Sequence, residues 1–199
     1  DICRLKFLRH RVRFALQTNG TLIDDHVIKL IKKYNIAVGV SLDGDESITN
    51  KTRKRIDGKG AFVDILKGIY KLRKNEINVT GVSVLHKYNY NKIREIISFF
   101  DEIGIRRIRL LPVEKIGNAT KNWERLAITP VMYFNAMKDL YLTVKEINRG
   151  RISEKRVAVE NINWYIEMLL LRLVRNVCLR APCGAGLDML YIDPEGDIY

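Results

Sequence analysis

Between residues 11 and 112, short runs of apolar and β-branched residues alternate with stretches whose apolar positions recur every three or four residues. Arg13–Gln17 reads as a strand, and Asn19-Gly20 as the turn into a helix over 24–34 with Val27, Ile28, Leu30 and Ile31 on its apolar positions. Ile36–Leu42 is nearly continuous in apolar residues, the pattern of a parallel strand covered on both faces. A long crossover leads to a helix over 61–74, whose Phe62, Ile65, Leu66, Ile69 and Leu72 share one face. A third strand is predicted over 79–85, a third helix over 92–103 stopped by Gly104, and a fourth strand over 107–111 ahead of Pro112. This order predicts an α/β fold of consecutive parallel strands, helices outside and each crossover right-handed.

After Pro112 the alternation is expected to end. Residues 113–128 read as loop, and Thr129-Pro130 as the cap and first position of a helix reaching Asn148. Another helix is predicted over 157–175. Beyond Pro182 the composition shifts to Gly184, Gly186 and a hairpin whose turn is Asp193-Pro194-Glu195-Gly196, a small separate module.

The chain has 199 residues, 47% of them hydrophobic, enough for one sizeable core and a small appendage. The most apolar stretch, Met168–Leu171, is flanked by Glu167 and Arg172 and is far shorter than the roughly 20 residues a bilayer span requires. No membrane association is expected. The start at Asp1-Ile2-Cys3 lacks the pattern of a leader, which gives a cytoplasmic expectation. Three cysteines are too few and too unevenly placed for a disulfide framework, leaving buried thiols or ligands. The net charge of +12 invites an acidic partner. However, Lys29, Lys32 and Lys33, and again Lys67, Lys71, Arg73 and Lys74, fall on helical repeats where a solvated face accounts for them, so charge does not argue for nucleic acid.

Functional groups of a parallel α/β sheet gather where strands end. Three predicted strand ends carry polar clusters: Gln17-Thr18-Asn19-Gly20, Ser41-Leu42-Asp43-Gly44 and Leu111-Pro112-Val113-Glu114. Each alone could be only a turn. As a series, Phe14-Ala15-Leu16-Gln17-Thr18-Asn19-Gly20-Thr21-Leu22, Val40-Ser41-Leu42-Asp43-Gly44, Arg53 and Gly58-Lys59-Gly60-Ala61-Phe62 resemble radical S-adenosylmethionine enzymes related to anaerobic sulfatase-maturating enzymes and peptide maturases. Pro182-Cys183-Gly184-Ala185-Gly186 and Tyr191–Tyr199 resemble the start of the SPASM domain, which carries auxiliary 4Fe-4S clusters in that family.

The resemblance implies a partial (β/α) TIM-like barrel over 1–114, a helical connector over 115–176 and the opening of a SPASM module over 177–199. It implies that Ser41 contacts the methionine part of S-adenosylmethionine and that Arg53 reaches its carboxylate, for which a guanidinium fork is well suited. Without it, Arg53 reads as a solvated member of the basic run Lys51–Arg55. The family usually has a His-Asp pair where this chain has Thr49 and Asn50. Asn19 is implied near cofactor or substrate, and Val113 beside the adenine. Cys183 is the implied cluster ligand, at the mouth of the hairpin made by Leu187–Ile192 and the residues from Asp197, with Cys178 as a second ligand and Cys3 structural. His10, His26 and His86 form no metal spacing and receive no role.

The family's CxxxCxxC loop, which holds the catalytic 4Fe-4S cluster, does not occur in these 199 residues, nor does its Gly-Gly-Glu segment. The expectation is a fragment, inactive in isolation, of an oxidoreductase that cleaves S-adenosylmethionine to generate a radical. That enzyme would modify a peptide or protein side chain and draw electrons from a ferredoxin- or flavodoxin-type donor. The alternative is a non-catalytic barrel remnant or basic binding scaffold.

Overall fold

The computed structural model describes residues 13–172 and 196–197. Cys3, Cys178, Cys183 and the hairpin expected around 187–197 lie outside the described residues, except for Gly196 and Asp197.

Five strands form one parallel sheet in the order β1-β2-β3-β4-β5: β1 Ala15–Thr18, β2 Ala37–Ser41, β3 Val79–Leu85, β4 Arg107–Pro112 and β5 Ala158–Val159. The α-helices are α1 Asp25–Tyr34, α2 Glu46–Thr52, α3 Phe62–Lys74, α4 Ile93–Glu102, α5 Asn118–Lys121, α6 Trp123–Leu126, α7 Pro130–Ile147 and α8 Glu160–Leu171. The chain divides into a compact unit that runs to Val159 and a second that begins at Glu160. In the second unit α8 is described by itself, and Leu169, Leu170 and Leu171 on it are exposed.

Helix boundaries follow local chemistry. Asp24 caps α1 by accepting a hydrogen bond from the Val27 N–H at 2.7 Å, and Asn35 closes the helix in the left-handed region at φ 50°. Thr129 caps α7 by accepting from the Met132 N–H at 3.2 Å, with Pro130 at the first helical position. The apolar faces of α3 and α4 are fully enclosed: Ile65, Ile69, Leu72, Ile96, Ile97 and Phe100 are buried together with Val40, Leu85, Ile108 and Leu110 of the strands. Gly81 is required there, since a Cβ at that position would lie 2.5 Å from the Phe100 ring.

Four elements were not anticipated. Residues 113–128, expected as loop, hold the short helices α5 and α6. The crossover after β2 contains α2, whose Asp45 accepts from the Ile48 N–H at 2.9 Å. The alternation does not end at Pro112 either. Residues 158–159, expected in a helix starting at 157, extend the sheet as β5 in register with Arg107 and Ile108. α7 packs on α4 and so supplies the helix of that last unit. Arg151 fastens the connection, donating from both terminal nitrogens to Asp101 at 3.0 and 2.8 Å.

Candidate functional site

Strand parity sorts the sheet into two faces. Gly81 looks toward Phe100 on the helix side, whereas a Cβ on Gly39 would meet Val82 and Gln17. Gln17, Gly39, Ser41 and Val82 therefore lie on the face away from the helices, with Ser41 paired to Val82 at the carboxyl end of β2.

Two residues beyond Ser41, Asp43 is 2% exposed and saturated with donors. Its Oδ1 accepts from Arg53 Nη2 at 2.8 Å and from the Val84 N–H at 3.0 Å, and its Oδ2 accepts from the Thr52 hydroxyl at 3.1 Å. A buried carboxylate needs such compensation. Arg53 thus sits at the carboxyl end of β2, and it is not a solvated member of a basic run. The loop that delivers it is pinned on both sides. Thr49 donates its hydroxyl to the Gly44 carbonyl at 2.8 Å, and Asn50 Oδ1 accepts from the Phe62 N–H at 3.0 Å, capping α3 where Ala61 has no side chain to do so. The pair that departs from the family's His-Asp pattern therefore has a local structural role. Gly60 makes room for it, because a Cβ there would overlap the Asn50 side chain.

The end of β3 completes the cluster. His86 Nδ1 accepts from the Tyr88 N–H at 3.3 Å, and its Nε2 lies 3.5 Å from the Thr52 hydroxyl. Burial holds His86 below its ordinary pKa against the opposing pull of Asp43, while Arg53 adds to the lowering, so the imidazole is neutral at pH 7. Asn89 accepts from the His86 N–H at 2.8 Å and donates to the Val84 carbonyl at 3.0 Å.

Among the residues singled out from sequence, the structure brings Ser41 and Arg53 to the same strand end. Val113 donates its N–H to the Leu85 carbonyl at 2.9 Å and so carries the β3–β4 ladder past Pro112. Asn19 is exposed, and its Oδ1 accepts both the N–H and the hydroxyl of Thr21, at 3.1 and 2.9 Å, which occupies that oxygen in the turn. Thr52, His86 and Asn89 were not anticipated, and Asp43 was read only as part of a strand-end cluster. For Asp43, His86 and Asn89 the one available signal was their position soon after a predicted strand, and Thr52 had none.

The sequence profile of the Radical SAM superfamily matches residues 1–100. The chain belongs to the radical SAM superfamily. It is 26% identical over 189 residues to a cysteine-type anaerobic sulfatase-maturating enzyme of Clostridium novyi, covering 94% of this chain and 49% of that protein. It is 32% identical over 109 residues to a serine-type anaerobic sulfatase-maturating enzyme of Bacteroides thetaiotaomicron, covering 54% of this chain and 26% of that protein. An uncharacterized protein of Methanocaldococcus jannaschii is 32% identical over 202 residues, with 100% and 60% covered. This radical SAM chain thus spans less than two thirds of each of these relatives. Its fold is that of native anSMEcpe, solved with bound AdoMet and a peptide: the TM-score is 0.74 at 20% identity, over 88% of this chain and 49% of that one.

The superfamily implies two groups, S-adenosylmethionine and an iron-sulfur cluster. For S-adenosylmethionine the fit is concrete. The Arg53 side chain is 22% exposed and Asp43 engages only its Nη2, so the exposed part of the guanidinium keeps N–H donors for an anionic acceptor, while the enclosed Nε has no hydrogen-bond partner among the described residues. For an iron-sulfur cluster the described residues do not fit. They contain no group of three His, Cys, Asp or Glu side chains able to hold a metal.

Proposed function

We propose that this chain is the S-adenosylmethionine-binding half-barrel of a sulfatase-maturase-type radical enzyme that modifies a peptide or protein side chain. The observation that carries the reading is the half-buried Arg53 at the carboxyl end of β2, held by Asp43 through Nη2 alone, with N–H donors to spare on its exposed part. When bound, S-adenosylmethionine would supply the radical chemistry by reductive cleavage. The residues of this chain bind and orient. Arg53 takes the methionine carboxylate and Ser41, on the open face, its neighbouring polar groups, while the strand end at Val113 passes the adenine. A peptide substrate is favoured by the sulfatase-maturating relatives and by the peptide-bound structure with the same fold. Cys183 and Cys178 remain the proposed auxiliary-cluster thiolates, and Asn19 a polar neighbour of the cofactor through its amide nitrogen. A ferredoxin- or flavodoxin-type electron donor and a reducing, cytoplasmic setting belong to the same proposal. In support, no described helix is long and apolar enough to cross a membrane.

Equilibrium dialysis of the chain against labelled S-adenosylmethionine tests the reading. Saturable binding that weakens at least about tenfold in Arg53→Gln is expected, since a charge-assisted contact contributes about 1.5–3 kcal/mol. Absence of saturable binding would favour a scaffold without cofactor chemistry.

A further inference from the structure

Asp43 is the anchor from which the site is built, and its own anchoring is unusually complete. The Val84 N–H belongs to the backbone of β3 and cannot swing away, so Oδ1 is fixed relative to the sheet. Arg53 Nη2 meets that same oxygen, while Oδ2 is taken by Thr52, the residue adjacent to Arg53. Behind Thr52 the donors run in one direction. His86 Nδ1 is an acceptor of the Tyr88 N–H, which leaves the imidazole proton on Nε2, facing Thr52 Oγ1 at 3.5 Å. The Thr52 hydroxyl proton is then directed to Asp43 Oδ2. A neutral imidazole suits this arrangement, because its burial disfavours the charged form.

We propose that Asp43, backed by Thr52 and the Nε2–H tautomer of His86, is a positioning residue that locks the Arg53 guanidinium so that its exposed edge is presented to the carboxylate of S-adenosylmethionine. The inference rests on the reading of Arg53 given above. An arginine side chain has substantial rotamer freedom to lose on binding. Holding one corner on a buried carboxylate removes that loss before the ligand arrives, and the preorganised fork then discriminates for an anion at a defined place. Asp43 touches no ligand in this scheme and acts only through Arg53.

The test compares S-adenosylmethionine with its decarboxylated analogue, by calorimetric titration of the whole 199-residue chain and its variants. Wild type is expected to favour the carboxylate-bearing ligand at least about tenfold, and Arg53→Gln to abolish that preference. Asp43→Asn should reduce the preference to within about threefold while leaving the affinity for the decarboxylated analogue unchanged within about twofold. Should Asp43→Asn fail to fold, Thr52→Val removes the Oδ2 contact and the approach of His86 Nε2 while keeping the Oδ1 contact to Arg53, and an intermediate loss of preference carries the same information. An equal loss of both ligands in the Asp43 or Thr52 variant would mean a purely structural role, and an unchanged preference would mean none; either result overturns the positioning inference while leaving Arg53 as the carboxylate group. A wild type that does not distinguish the two ligands, or an Arg53→Gln variant that still does, would instead overturn the carboxylate assignment itself.

Discussion

Gly68, in the middle of α3, is the position where a single methyl group has the clearest consequence. An ideal Cβ there would sit 1.9 Å from the Gly20 carbonyl oxygen, with the Ile23 side chain at 3.3 Å. Glycine in a helix interior is about 1 kcal/mol worse than alanine, so an isolated helix would gain from Gly68→Ala. Here the obstacle is a backbone oxygen, and Gly20 is at φ +76°, where its own freedom to adjust is already used by the turn. Relieving the overlap requires α3 and the β1–α1 loop to separate by more than about 1 Å, which opens the layer containing Ile65 and Ile69. Overpacking of this kind costs about 1–3 kcal/mol, and at the upper end it outweighs the propensity gain by about 2 kcal/mol. In a chain of 199 residues that corresponds to a fall in Tm of about 4–8 °C. Thermal unfolding followed by circular dichroism measures it, with Lys67→Ala on the exposed face of the same helix as a control near zero. If Gly68→Ala melts at or above the wild-type temperature, the close approach of α3 to the β1 turn is not as described.

His86 gives a pH signature. Because its folded-state pKa is lowered, chiefly by burial, the unfolded chain binds the proton first as pH falls, so stability is complete above about pH 6.5 and declines below it. Lys51, Arg53 and Asp43 are the charges that act on it, and His86→Gln should flatten the change in urea midpoint between about pH 7.5 and 5.5; a wild type already flat over that window would refute the assignment. Gly81→Ala should destabilise by about 1–3 kcal/mol through the Phe100 ring, and pairing it with Phe100→Leu should cost at least about 0.5 kcal/mol less than the sum of the single changes. Strict additivity would mean that the two residues do not meet.

Much of the framework was legible because local signals and tertiary demands agree. Val79–Leu85 is a strand in both readings, since its apolar run is buried between α3 and α4 on one side and continued by β2 and β4 along the sheet. Thr129-Pro130 announced α7 through a cap that depends on three neighbouring residues. β5 was illegible for the opposite reason. Two residues have no periodicity, and Ala158–Val159 is a strand only because Arg107 and Ile108 pair with it. α2 was hidden by Ser47, Thr49, Asn50 and Thr52, poor helix formers that instead serve as hydrogen-bonding groups of the loop. The same limit applies at the site. Arg53 could be placed only by resemblance, because its partner Asp43 lies ten positions earlier and their meeting depends on how α2 turns the chain back. A lone histidine such as His86 shows nothing in sequence of the burial that keeps it neutral.

The two faces of the sheet also bear on how such a chain can change over generations. Residues that look toward the helices, such as Val40, Gly81, Leu85 and Ile108, are enclosed on every side, and an altered volume there is felt at once in folding. On the other face Val82 is enclosed, but Gln17 is exposed and Ser41 half-buried. Selection can therefore revise the exposed positions of that face one side chain at a time without first securing a compensating change in the core. New side-chain chemistry can accumulate there as a sequence of individually tolerated substitutions.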